Sequence, residues 1–205
     1  MLIDLSQQLT NGVESFPGDP DFRLEQIADI TTNGYSNFML HSGMHIATHV
    51  DGVGHLINSD LPISQASLDK FCGEAIVLDY RNSAIIDYSI TLENLIVDGK
   101  IVLINTGHDK KWGHDGYFSA HPIITEKLAN WFISKQVKMI GIDFPSPDTE
   151  PYNVHKLLLS NDILILENLT NLDRLIGYKE LKIMAFPLKL TADSSPVRAV
   201  AEVTF

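Results

Sequence analysis

The sequence predicts an α/β chain, a mixed sheet with flanking helices. Three observations carry that expectation. Residues 75–80, 101–105, 138–142 and 163–166 are short runs rich in Ile, Val and Leu, the pattern of strands buried on both faces. Helix signals fall between the later runs, and strand–helix–strand order implies parallel pairing there. Residues 181–190 and 197–205 read as a closing antiparallel pair, with the turn residues Asp193, Ser194, Ser195 and Pro196 between them.

The first half reads as meandering strands. Residues 2–5 open the chain. A turn-rich stretch containing Pro17, Gly18, Asp19 and Pro20 leads into a strand over 22–30. Residues 91–96 form a short helix in this reading. Thr125 caps a helix over 125–132 that carries Leu128, Trp131 and Phe132 at helical spacing. A third helix covers 153–159, with Leu158 and Leu159 turned to the core.

Bulk properties set limits. A chain of 205 residues, 44% apolar and 20% charged, suits one folded domain over 1–205. No apolar run reaches the ~18 residues that span a bilayer, and the first residues carry no basic segment followed by a long apolar one. The expected location is cytoplasmic. The net charge is −11, and the 15 Lys and Arg are scattered. That excludes the basic stripe of a nucleic-acid binder and disfavours anionic membranes. Cys72 is the only cysteine, so neither an intrachain disulfide nor a Cys-x-x-Cys site is available. Its apolar neighbours point to a packed thiol rather than a nucleophile.

The chemistry concentrates in one stretch. His41, His45, His49 and His55 fall within 15 residues, and the last three with Asp51 form an H-x3-H-x-D-x3-H set. A helix would put Asp51 about 240° from His45. An extended segment points positions 45, 49, 51 and 55 to one face, but a straight strand spreads His45 and Asp51 by about 20 Å. A single site therefore requires a bend, which Gly43, Gly52 and Gly54 permit. Imidazole with carboxylate suits zinc, manganese or iron. A polar, His-rich surface turn is the bland alternative. Downstream, His155 at a helix start and Glu167 at a strand end are further candidate ligands. His108 and His114 flank Trp112 in what reads as a solvated loop, and His121 as a helix entry.

These residues resemble the cyclase family of metal-dependent hydrolases, whose signature is H-x-G-T-H-x-D-x-P-x-H. His45, Thr48, His49, Asp51 and His55 are in register, while Ala47 replaces the glycine and Val53 the proline. Further matches are Phe16 to Pro20, Asn105 to Gly107, Gly141 to Asp148, His155 with Glu167, and Ser195 to Ala199. The resemblance implies a swivelling β/β/α domain. It implies His45, His49, Asp51, His155 and Glu167 as ligands of one or two ions, zinc or alternatively manganese. It further implies His55 as proton carrier, Phe16 lining the substrate pocket, and a homodimer or homotetramer. The activity implied is hydrolysis of an amide: an N-formyl aryl amine such as N-formylkynurenine, or a cyclic amide or lactone. A metal-dependent lyase or cyclase, or a non-catalytic metal-binding relative, would use the same residues. A serine hydrolase is disfavoured, since no Gly-x-Ser-x-Gly elbow is present. The two departures bear on the placement of His55 more than on the ligands, because Ala resists positive φ and Val lacks proline's fixed φ.

Overall fold

The computed structural model describes residues 1–204. Its centre is a nine-stranded mixed sheet built from β1 (Leu2–Asp4), β4 (His49–Asp51), β5 (Cys72–Asp79), β7 (Ile101–Asn105), β9 (Met139–Ile142), β10 (Leu164–Glu167), β11 (Glu180–Met184), β12 (Ser194–Pro196) and β13 (Val200–Thr204). The spatial order is β1-β13-β11-β5-β7-β9-β10-β4-β12. The four Ile/Val/Leu runs form its parallel middle, β5, β7, β9 and β10. Every residue of β7, β9 and β10 is buried, which is why these strands read as continuous apolar runs rather than alternating ones.

Alternation survives in where each side chain goes. Ile101 and Leu103 of β7 enter one core with Leu5, Val50, Phe71 and Ile183, inside the curl of the sheet. Val102 and Ile104 enter the other, under the helices α2 (Glu126–Ser134) and α3 (Asn153–Ser160). Thr125 caps α2 as expected, its Oγ1 accepting from the Leu128 N–H at 3.2 Å. Leu128, Phe132, Val154, Leu158 and Leu159 form the buried face of the two helices.

The sheet curls because residues 194–204 serve both ends of it. Their first part, β12, pairs with β4, and their second, β13, with β11 and β1. The Val197 N–H donates to Thr48 O at 3.0 Å and the Leu5 N–H to Ala199 O at 3.0 Å, which brings the two edges together at one segment.

Several expectations change. Residues 194–196 are not a bare turn: they form β12, because a buried edge of β4 needed backbone partners. The strand expected over 181–190 stops at Met184, with only a bridge from Pro187 to Val197 beyond it. Phe205, the last residue of the strand expected over 197–205, lies outside the described residues. Residues 90–94 form a 3-10 turn rather than an α-helix. The strand expected over 22–30 is β2 (Arg23–Ala28), and it pairs with an unexpected β3 (Asn37–His41) in a separate hairpin joined through α1 (Ile30–Asn33). A small parallel pair, β6 (Ile85–Ile86) and β8 (Ile123–Ile124), completes the strands. No helix among the described residues is long and apolar enough to cross a membrane.

Candidate metal centre

Five pieces of chain deliver the candidate residues to one point. β4 sits beside β10, with His49 opposite Glu167 and Asp51 opposite Ile165. His155 comes from the first turn of α3. His45 arrives from the irregular segment ahead of β4, and His55 ends a 3-10 turn, Val53–His55, just after it.

The bend the sequence demanded is present, but its source differs from the expected glycines. Ala47, in the place of the family's glycine, takes the left-handed conformation, φ +47°. That costs about 1 kcal/mol for a residue with a Cβ. Two bonds to its carbonyl hold it there: the Asn168 Nδ2 donates at 2.9 Å and the His49 Nδ1 lies at 2.8 Å. Gly52 has an ordinary extended φ of −94°. Its importance is space: a Cβ there would lie 2.5 Å from Asp193 O and 2.9 Å from Ile63 Cδ1. Val53 opens the 3-10 turn, the place where proline's fixed φ fits best.

The side chains converge closely. His45 Nδ1 lies 2.9 Å from Asp51 Oδ1. His49 Nε2 is 3.3 Å from both Asp51 Oδ1 and Glu167 Oε2, and His155 Nε2 is 3.3 Å from Glu167 Oε1 and 3.9 Å from Asp51 Oδ2. The ring of His55 lies 4.1 Å from that of His45 and 5.9 Å from that of His155. All five expected ligands and the expected proton carrier are thus brought together.

Outer partners fix which nitrogen each ring offers. The Nδ1 of His49 is engaged by Ala47 O, and that of His155 by Asp148 Oδ1. Asp148 also accepts from the Val154 N–H at 2.6 Å. Both imidazoles therefore turn Nε2 inward, the carboxylate-or-carbonyl-backed arrangement of metal-ligating histidine.

Three inward atoms are buried and without a hydrogen-bond partner: His49 Nε2, Asp51 Oδ2 and Glu167 Oε1. Close approaches at 3.3 Å do not satisfy them, since the hydrogen-bond alignment is missing. An orphaned buried polar atom costs about 1–3 kcal/mol, so three at one point call for a shared partner. A divalent cation fits this nitrogen-and-oxygen donor set.

The electrostatics agree. Burial opposes charging His45 and His49, yet Asp51, with Glu167 in the case of His49, outweighs it and raises both pKa values, His49 well above the usual range. Burial likewise opposes charging His155, but Asp148 and Glu167 push it up to about 10. Burial favours a neutral Asp51, and His49 and His45 reverse that and hold it well below the carboxylate range. His55 differs: burial lowers it, against the pull of Asp51.

A cavity of about 330 Å³ opens over this cluster, lined by Phe16, Ala47, Phe118, Pro145, Tyr152 and the four histidines among others. Phe16 meets Phe118 edge to face at 5.7 Å. No Lys or Arg lines it among the described residues.

The sequence reading missed Asp193, whose Oδ2 lies 2.8 Å from His45 Nε2 and 3.4 Å from His55 Nδ1. The only signal was its place beside Ser195 to Ala199, a family match. His108 is also not solvated: it is buried, its Nε2 2.8 Å from Tyr117 O. Tyr117 in turn donates to Asn168 Oδ1 at 2.6 Å, so this loop supports the carbonyl of Ala47 through Asn168. His114 and His41 are exposed, and His121 stacks on Phe144.

A family model described as "Putative cyclase" matches residues 3–149. The chain belongs to the cyclase family. Members similar to it include an uncharacterised protein of Methanocaldococcus jannaschii, 34% identical and covering 98% of each chain. A kynurenine formamidase of Bacillus mycoides is 31% identical, over 97% of this chain and 95% of that one. Among solved structures, isatin hydrolase A from Labrenzia aggregata superposes with a TM-score of 0.88 at 22% identity, covering 100% of this chain and 94% of that one, which shows the same fold. This cyclase-family chain, with its His/Asp cluster, is a metal-dependent hydrolase.

Proposed function

We propose that the protein hydrolyses the amide bond of a small aromatic substrate, an N-formyl aryl amine or a cyclic amide, with zinc or manganese at the site. The observation that carries this reading is the three partnerless atoms, His49 Nε2, Asp51 Oδ2 and Glu167 Oε1, two of whose residues, His49 and Glu167, line an aromatic-bearing cavity.

His45, His49, Asp51, His155 and Glu167 would hold the metal. Bound there, it supplies Lewis acidity, acidifying water and polarising a carbonyl oxygen. The protein's own residues do the rest. His55, its pKa lowered by burial, is neutral at pH 7 and so able to accept a proton from water and return it to the leaving nitrogen. Phe16, braced by Phe118, offers an apolar face to the substrate ring. About 330 Å³ is at the small end of ligand cavities, which favours a single bicyclic or substituted benzene unit. The names of the relatives, kynurenine formamidase and isatin hydrolase, support an aryl amide. The same reading includes a homodimer, supported by the exposed apolar side chains Ile27, Phe38, Met39 and Leu40 on the β2–β3 hairpin.

A panel of N-formylaniline, N-formylkynurenine, isatin and an aryl lactone, assayed with zinc and with manganese, tests it. Turnover of an amide with loss on chelation is expected. Turnover of none of them, or turnover indifferent to chelation, contradicts it.

A further inference from the structure

One carboxylate oxygen sits between two imidazoles in this site. Asp193 Oδ2 lies 2.8 Å from His45 Nε2 and 3.4 Å from His55 Nδ1, and the Ser194 hydroxyl lies 3.1 Å from the same oxygen. The placement is set by register. β12 runs against β4 with Ser194 opposite Asp51, and the Gly52 N–H donates to Asp193 O at 3.0 Å. The backbone of residue 193 is thereby pinned beside the turn that ends in His55, and only a glycine at 52 leaves room for it. Ser194 Oγ also lies 3.3 Å from Asp51 Oδ1, so the carboxylates on β4 and ahead of β12 share a hydroxyl.

The chemistry of an imidazole explains what such a contact does. A neutral ring carries one proton, and the hydrogen bond made by one nitrogen decides the state of the other. A carboxylate at Nδ1 keeps the proton there and leaves Nε2 as the basic nitrogen. Asp193 Oδ2 hydrogen-bonds His45 Nε2 at 2.8 Å and approaches His55 Nδ1 at 3.4 Å, within reach of a small turn of the ring. No other side chain approaches that nitrogen among the contacts of the described residues, whereas His49 and His155 have their own outer partners, Ala47 O and Asp148.

We propose that Asp193 is the positioning residue for His55, fixing its Nδ1–H tautomer and ring orientation while tying it to the ligand His45 through the same oxygen. This rests on the proton-carrier role given to His55 above. Asp193 does not contact the reacting atoms; it acts through the ring.

The test uses the full chain loaded with saturating zinc. Two-bond ¹⁵N–¹H correlation spectra of the histidine rings report which nitrogen of His55 bears the proton, with its signals assigned by their absence in His55→Gln. In the wild type, His55 is expected as the Nδ1–H tautomer. In Asp193→Ala it is expected to become a mixture of tautomers, with kcat about 10–100-fold lower, KM within about twofold, and zinc content unchanged. Asp193→Asn keeps the volume of the turn and one acceptor oxygen but loses the charge. It is expected to fall between the two, and it decides the matter if the alanine variant does not fold. An unchanged tautomer and unchanged kcat in both variants would overturn the proposal, as would a loss of activity fully matched by loss of zinc. If the wild type turns over no amide, the proposed function fails, and the spectra still decide whether Asp193 fixes the ring.

Discussion

His55→Ala is expected to leave metal content at the wild-type level and to lower kcat about 10²–10⁴-fold, the usual size of general acid–base help. That corresponds to about 3–5 kcal/mol of barrier. The separation of effects follows from geometry. The partnerless inward atoms belong to His49, Asp51 and Glu167, and none of them is lost with His55. His55 is also the site histidine whose pKa burial lowers rather than carboxylates raise. It therefore remains a base at neutral pH. A variant that loses metal along with activity would make His55 a ligand. A variant with full activity would remove it from the reaction.

The second large effect is expected at a residue that touches no substrate. Gly52→Ala puts a Cβ 2.5 Å from a backbone oxygen, Asp193 O, and 2.9 Å from Ile63 Cδ1. A flexible side chain could move aside; a backbone carbonyl already paired with the Gly52 N–H cannot do so without parting β12 from β4. Overpacking of this kind costs about 2–3 kcal/mol, or about 5–10 °C in Tm for a chain of this size. The consequence for catalysis is larger than the stability loss suggests, because Asp193 rides on the displaced segment. Thermal melts with parallel assays on the metal-loaded variant check both. A Gly52→Ala protein with wild-type Tm and kcat would show that β12 moves freely and that its register does not set the site.

Much of this was legible in the chain. The parallel middle of the sheet announced itself because β7, β9 and β10 are buried on both faces and so carry no polar positions to blur the pattern. Thr125 marked the start of α2 because its hydroxyl does the capping. The spacing of His45, His49, Asp51 and His55 required a bend, and the bend exists. What failed was attribution: glycine positions were the natural hinge, yet Ala47 carries the positive φ, held by the neighbouring His49 ring and by a bond from Asn168, 121 residues away, that local sequence does not encode. His155 and Glu167 were ordinary residues until the family resemblance grouped them. Asp193 was hidden for a related reason. It lies 142 residues after Asp51 in a stretch of Asp, Ser and Pro, which has the composition of a turn, and only the pairing of β12 with β4 makes it part of the site. The β2–β3 hairpin was half-read because the apolar residues of β3 are exposed, so no inward–outward alternation marked them.

The central claim is that the partnerless atoms form a metal site, and a calorimetric titration of zinc into chelator-treated protein tests it most directly. The site predicts one or two equivalents bound per chain, and no binding at this site in His49→Ala. Without metal, Asp148 and Glu167 push His155 up to about 10, and Asp51 raises both His45 and His49, the latter well above the usual range with help from Glu167. These rings therefore favour holding protons at pH 7 that ligation must displace. Titrations in buffers of different ionisation enthalpy should thus report net proton release on filling the site, with affinity rising as pH is raised above 7. Zinc that fails to bind, or binds equally well to His49→Ala with no proton release, would contradict the account.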